Sequence, residues 1–558
     1  MYSLKKHSPT LSTAAFLMLG TAALADTPPV LTAPPTAPAA PVNTAHVDFY
    51  RGNIGHTGVA DEKLSAPLSV LWRHTTSYAK NNPASPVYAN STVFFPSGGA
   101  LYALNASDGT TRWQYPADGK TTTYFATTPA LSAGSLYVTD DNGEAYRVDA
   151  ATGKVVWATK LDGAIRSAPI LSNGVVYFGS GNSHCYALSA DTGKVIWDTA
   201  TGGAIITSPT ITGGLVVFSS SDNNVYSLNA RTGKKGWAVP FAGDPSLVSP
   251  VYDGTTLYVT AGDTVYGLDP NNGAKRSTIK LPTNVLIPPT VSGESVYVIT
   301  QSNALYSLTP SGRARWHITL DAAATAPPLL AGNLLLVATQ PGVLSGYDTA
   351  AGKLLWRYAV QASATDSQPK YPSTTVYSAP IVAAGTLFVV SDDGTLTAFR
   401  SDAPGNIAPQ FTQVFPEAGA TVRADGLTYG ALVVDEGSGI NPATVSLKVD
   451  GEVDAKATYY AGQNAVYNTP TTPLKEGEHK ITLKAADWRG NVTTQTWSFT
   501  VGDQGERAGP GGNGGGYPGF GGFPGGGGSG FPGGGGGVPF NPGGGGPGVP
   551  PPPPIAPF

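Results

Sequence analysis

A phrase recurs along this chain: a short turn that ends in glycine, then a tryptophan four residues later, as in "DTGKVIW" at 191–197. Gly109/Trp113, Gly153/Trp157, Gly193/Trp197, Gly233/Trp237, Gly312/Trp316 and Gly352/Trp356 keep the pairing, and Gly273 keeps its place with Ser277 as partner. Successive glycines lie 39 to 44 residues apart. A second mark keeps the same beat. A proline is followed eight residues later by an aromatic or aliphatic residue, eight times from Pro86/Phe94 to Pro380/Phe388. Such a period means one supersecondary unit that hides its apolar face only against copies of itself.

Each unit reads as four short strands. In one of them "APIL", "GVVYFGS", "CYALSA" and "KVIWDT" are rich in Val, Ile, Tyr and Leu and are bounded by Gly, Asn, Asp and Ser. The turn glycine supplies the positive φ of a hairpin. Apolar spacing of 3.6 residues is absent, which excludes a helical solenoid. The expectation is an all-β fold, an eight-bladed β-propeller over 46–402. The last unit, Pro380 to Arg400, lacks a fourth strand, whereas "PLSVLWRHTT" at 67–76 carries a tryptophan with no strands before it. Pairing the two closes the ring. Trp72, Trp113, Trp157, Trp197, Trp237, Trp316 and Trp356 then form one structural series that plugs the seams between blades, each side chain worth about 3–5 kcal/mol.

At 558 residues the chain exceeds one ordinary core. From 407 to 501 the beat changes to alternating strands, "TVSLKVDG", "HKITLKAAD" and "TTQTWSFTV", which predicts an immunoglobulin-like β-sandwich of seven or so strands. The segment 502–558, "GGGYPGFGGFPGGGG" and onward, cannot bury enough apolar surface to fold and is read as a disordered Gly/Pro-rich tail. At the other end, Lys5 and Lys6 precede an apolar stretch closing on Ala23 and Ala25, the pattern of a signal peptide cleaved after Ala25. Residues 26–45 read as a Pro-rich linker. The expected location is secreted or periplasmic, with no integral membrane segment in the mature chain. Charged residues are 13% and the net charge is −4, with no basic stripe for nucleic acid. Cys185 is the only cysteine and reads as a small buried hydrophobe.

"LYALNASDGTTRW", "CYALSADTGKVIW" and "GYDTAAGKLLW", with the lead-in "FYRGNIGHTG" at 49–58, resemble the pyrroloquinoline-quinone (PQQ) repeat family. The second domain resembles bacterial Ig-like domains. The PQQ-repeat resemblance implies one of two functions. One branch holds quinoprotein dehydrogenases, which bind PQQ and calcium and use a neighbouring cysteine pair. The other holds cofactor-free scaffolds, the BamB-like outer-membrane assembly factors. Here Cys185 is alone, and the first strands "SPVY", "TPAL", "APIL", "SPTI", "SPVY", "PPTV", "PPLL" and "APIV" contain no carboxylate, whereas a hard cation needs several oxygen ligands. BamB-type proteins carry a lipid-anchoring cysteine and no Ig-like domain, so this chain departs from them as well.

The expectation is therefore an exported, non-catalytic scaffold that binds protein partners of the cell envelope, with no catalytic, cofactor or metal residues. A quinoprotein dehydrogenase is the main alternative, and a surface protein binding carbohydrate or wall material is a second. The connections after Trp113 and Trp356 are longer than the others and share one ring face with the second-to-third strand loops, and partner binding is placed on that face, at Tyr124, Arg166, Lys370 and Tyr371. Ser183 and His184 are adjacent, but strand neighbours face opposite sides and make a poor nucleophile–base pair. Asp435, Asp487 and Asn491 offer calcium-type oxygens, though Asx turns are the plainer use of such residues.

Overall fold

The computed structural model describes residues 46–76, 84–117, 124–125, 127–245, 248–362 and 374–505, all in one compact unit. The expected signal peptide, the linker, nearly all of the tail, and Lys370 and Tyr371 lie outside these residues.

Among the described residues the repeats form eight antiparallel meanders, a β-propeller. In the third, Ile170–Ser172, Val175–Gly179, His184–Ser189 and Val195–Ala200 pair in chain order. The last joins Ile381–Ala383, Thr386–Val390 and Thr395–Arg400 to Ser69–Thr75 from the chain's beginning. Its register runs from Ser69 opposite Arg400 to Thr75 opposite Thr395. A register shift falls between Val70 and Trp72, matching the bulge beside Trp197 in the third sheet.

The turn-plus-tryptophan phrase works between sheets. Trp157 of the second sheet lies on the turn glycine of the third, Gly193. That glycine has φ +70, and a Cβ there would stand 2.7 Å from the indole. Each indole Nε1 also donates to the carbonyl three residues before the next turn glycine. The acceptors are Ala106, Ala150, Ala190, Ala230, Pro270 and Thr349, at 2.8–3.1 Å from Trp72, Trp113, Trp157, Trp197, Trp237 and Trp316. Where Ser277 replaces the tryptophan, Ile279 lies against the next turn glycine, Gly312. Beneath these lids, inner apolar residues of neighbouring sheets mesh. Ile170, Tyr177 and Cys185 meet Ile211, Val216 and Phe218 in one such cluster. Six of the seven indoles are only half-buried, so the figure of about 3–5 kcal/mol expected for a fully covered side chain is too large for them.

Trp356 is the exception. It is wholly buried. The last sheet takes its fourth strand from the N-terminal side, so it has no third-to-fourth turn on which Trp356 could lie. Its Nε1 donates instead to Ser438 O of the second domain, at 2.8 Å. The loop 435–439 thus stands in for the missing turn. Gly437 O accepts from Val70 N at 3.0 Å, and Trp488 Nε1 donates to Arg357 O at 3.0 Å. That domain is a two-sheet β-sandwich. One sheet is built on Gln410–Phe415, Tyr429–Val434, Ala465–Asn468 and Thr458–Tyr460, the other on the long pair Gly477–Ala486 and Val492–Val501. Val433, Leu447, Ile481, Leu483, Trp497 and Phe499 form its core. It has nine strands among the described residues, against the seven or so expected, and the two-residue edge strands Thr421–Val422 and Glu452–Val453 are too short to show in an alternating pattern.

Candidate functional site

The first strand of each sheet faces the ring axis, and its outward-turned backbone N–H groups need acceptors. The segment 46–64 supplies them, meeting the sheets nearly in chain order. His46–Val47 pairs with Val87–Ala89. Asp48 O accepts from Leu131 N (2.8 Å), Ile54 O from Ile211 N (3.3 Å), and Gly55 O from Tyr252 N (2.7 Å). Thr57 O accepts from Val291 N (3.0 Å) and Gly58 O from Leu330 N (2.8 Å). Glu62 ends the series, its carboxylate accepting from Ala384 N and Gly385 N at 2.8 and 2.6 Å. Phe49 packs against the clusters that include the third sheet. The bonded donors are mostly the second residue of each first strand, so one segment closes the inner edges of the ring. Gly55 is required there: a Cβ would overlap Tyr252 O.

This rim carries Arg51 and His56, 2% and 1% exposed. Arg51 Nη2 donates to Pro289 O and Thr290 Oγ1, both at 2.9 Å. Burial pushes the guanidinium down to about 10. Burial, then the Arg51 charge, hold His56 neutral, down to about 3. Its ring meets Tyr50 edge-on at 5.3 Å. Sequence reasoning passed over both residues, since "FYRGNIGHTG" served only as a mark of resemblance. The available signal was a dense run of glycines around an arginine in a chain poor in charge.

The loop face is built by a second recurring bond. The connection entering a sheet is pinned to that sheet's second-to-third turn: Asp141 N to Tyr124 O (3.2 Å), Gly181 N to Ala164 O (2.9 Å), Asp392 N to Thr375 O (2.8 Å). Both loop sets therefore share one face. Tyr124 and Arg166 come together there through Asp141, which the sequence reading missed. Arg166 Nε lies 3.2 Å from Asp141 Oδ1, bridging two sheets with 46% of its side chain exposed. Burial first, and Asp141 next, push the Tyr124 phenol up to about 12. An exposed pair of this kind contributes about 0–1 kcal/mol to stability, so it orders the loops more than it holds the fold.

Other candidates resolve into structural roles. His184 Nδ1 contacts Asp198 Oδ2 at 2.9 Å, and Ser183 sits outside the strand at φ +72. Cys185 is buried and its thiol is pushed up by desolvation. Asp435 Oδ1 accepts from Gly437 N (3.1 Å) and Gly439 N (2.6 Å), while Asp487 Oδ1 accepts from Arg489 N (2.9 Å) and Asn491 N (2.8 Å). These are Asx-type turns.

A redox quinone needs basic groups for its carboxylates, a metal ligand set and room for a fused ring system. Arg51 is a basic group on the rim. The cavity against it is about 20 Å³, far below the ~300 Å³ of an organic-ligand pocket. Among the described residues no three His, Cys, Asp or Glu side chains converge as a metal-holding group. The rim residues do not fit a quinone with its metal.

Residues 120–190, 172–248, 240–327 and 306–466 match the family model described as outer membrane protein assembly factor BamB. Among curated proteins, tetrathionate hydrolase of Acidithiobacillus ferrooxidans is 36% identical over 86 residues, 15% of each chain. Polyvinylalcohol dehydrogenase of a Sphingopyxis species is 33% identical over 99 residues, 17% of this chain and 15% of that protein. BamB of Legionella pneumophila is 29% identical over 126 residues, 22% of this chain and 29% of that protein. The matches thus span less than a third of these relatives. Among solved structures, BamB of Moraxella catarrhalis superimposes with TM-score 0.50 at 16% identity, covering 61% of this chain and 99% of that one. Quinohemoprotein alcohol dehydrogenase of Comamonas testosteroni gives 0.53 at 15%, covering 66% and 82%. At such identities the likeness is one of fold.

Proposed function

The chain belongs to the family of outer membrane protein assembly factor BamB, and from that membership we propose that it is an exported, non-catalytic scaffold that binds protein partners at the cell envelope. The observation that carries this reading is the inner rim. The ring's own segment 46–64 takes up the inner strand edges, which leaves the outer loops as the adaptable surface. Tyr124 and Arg166 mark the partner-binding face, with Lys370 and Tyr371 assigned to the same face from sequence. Among the described residues no helix is long and apolar enough to cross a membrane. Export rests on residues 1–25, and N-terminal sequencing of the mature protein is expected to read from Asp26. An intact Met1 or an acylated terminus contradicts that part.

A photo-crosslinking residue at Tyr124 or Arg166, in intact cells, tests the binding face. Discrete protein adducts are expected from both positions and not from Asn173, which lies in a turn between first and second strands. Equal yields from both faces, or none, count against the proposal. A quinoprotein dehydrogenase remains the second reading, favoured by the stretch shared with polyvinylalcohol dehydrogenase.

A further inference from the structure

The repeat sorts charge by face. On the loop face the second-to-third turns carry Asp141, Asp222, Asp263, Asp392 and Asp393 and no Lys or Arg. The opposite face is built by the first-to-second and third-to-fourth turns, which bond to each other. Ala190 N donates to Gly174 O and Ala230 N to Gly214 O, both at 2.9 Å. The bases of this face gather on three successive sheets. Arg231, Lys234 and Lys235 stand at the third-to-fourth turn of the fourth sheet, Lys275 and Arg276 at that of the fifth, and Arg313 and Arg315 at that of the sixth. All are exposed. Asp269 is the one carboxylate in these three turns, and its bond to Arg276 Nη2 is the only ion pair of the arc among the described residues. Asp253 and Glu294 stand in the adjoining first-to-second turns. The arc is therefore positive, on a chain whose net charge is −4. Sequence spacing hides it, because its members belong to three separate repeats.

Two of these cations are oriented without being neutralised. Lys235 Nζ stands 5.2 Å from the centre of the Tyr226 ring, and Lys275 Nζ 4.6 and 4.8 Å from those of Phe241 and Tyr266. An aromatic face attracts an ammonium and leaves its charge in place. Exposed aliphatic side chains continue the arc. Val156 (53%) on the second sheet, with Val195 (44%) and Ile196 (49%) on the third, lie at the start of the fourth strands beside Lys154 and Lys194. Val156 and Ile196 are the bulge residues of their sheets. The same bulge position holds Arg112, Arg276 and Arg315 on the first, fifth and sixth sheets. Bases with exposed aliphatics beside them match a surface whose outer layer is anionic and whose next layer is apolar. A bare polyanion supplies only the first. We propose that this face docks on an anionic lipid surface. The arc of the fourth to sixth sheets meets the headgroup phosphates, and Val156, Val195 and Ile196 meet the boundary between headgroups and acyl chains. The loop face, with Tyr124 and Arg166, then points away from the lipid. The proposal is separate from the partner-binding reading, since the two use opposite faces.

The test is flotation of the chain from Asp26 to Phe558, without the apolar leader, with vesicles of phosphatidylglycerol and phosphatidylethanolamine, against vesicles of phosphatidylcholine. Binding is expected to the anionic vesicles alone, and it should fall as salt screens the headgroups. Arg231→Gln, Lys234→Gln and Lys235→Gln combined should weaken it about a hundredfold. Val195→Ser with Ile196→Ser should weaken it too. Lys160→Gln with Lys280→Gln, at the loop-face ends of fourth strands, should leave it unchanged. Equal binding to both kinds of vesicle, binding to neither, or full binding by the triple variant overturns the proposal. Retention on polyglutamate or heparin without flotation assigns the arc to another polyanion and overturns it as well. If the triple variant does not fold, the lipid and salt dependence of the unaltered chain decides. Crosslinks from Tyr124 and Arg166 report on the other face, so either result stands without the other.

Discussion

A seam tryptophan is worth what its surroundings hide. Trp197 lies half-buried on Gly233, whereas Trp356 is wholly buried between the last sheets and the loop 435–439. Trp356→Ala is therefore expected to cost about 3–5 kcal/mol, and Trp197→Ala about 1–3 kcal/mol, by denaturant unfolding of the full chain. Equal losses would contradict the distinction. Asp435 lies under the same loop. Burial first, with Asp487 adding to it against backbone hydrogen bonds from Gly439, Gly437 and Ser438, pushes its carboxyl up to about 6. A raised acid is a proton bound by the folded state and not by the unfolded one. Its contribution is full below pH 4 and is lost as pH rises towards 6. Asp435→Asn keeps an acceptor for Gly437 and Gly439 and has no titration. The pH 4–6 decline in melting temperature should be shallower in the variant, and identical slopes would count against the assignment.

At the scale of elements, the ring is held by two pieces of chain from its beginning. Ser69–Thr75 completes the last sheet, and its Trp72 lies on Gly109 of the first. Trp72→Ala should lower the melting temperature, by about 1–3 kcal/mol of stability. An unchanged melt would mean that the closing strand contributes nothing. This strand was legible because a tryptophan without a blade and a blade without a fourth strand stood at opposite ends of one periodic pattern. The segment 46–64 was not legible. It has no period, and its bonds run from its own carbonyls to N–H groups of distant strands, which leave no trace in side-chain alternation. Only its glycines hinted that a backbone passes close by. The loop 435–439 escaped for a related reason: "DEGSG" has the turn residues any sandwich loop would have, and its use as a substitute blade turn depends on contacts with Val70 and Trp356. On the loop face, Tyr124 was reached by loop length and Arg166 by sharing that face, while Asp141, which joins them, sits in a turn whose composition does not set it apart.

At the scale of the molecule, one architecture serves both scaffolds and redox enzymes, so the repeat alone does not separate them. What separates them is what the ring's axis holds. Here, among the described residues, the segment 46–64 takes up the inner strand edges, and the cavity beside Arg51 is too small for a fused-ring quinone. The direct measurement is incubation of the purified protein with PQQ and calcium, desalting, and a scan for quinone absorbance followed by dye reduction with alcohols or sugars. A scaffold retains no stoichiometric quinone and gives no turnover. Stoichiometric retention with turnover would contradict the reading and would require the segment 46–64 to yield its place.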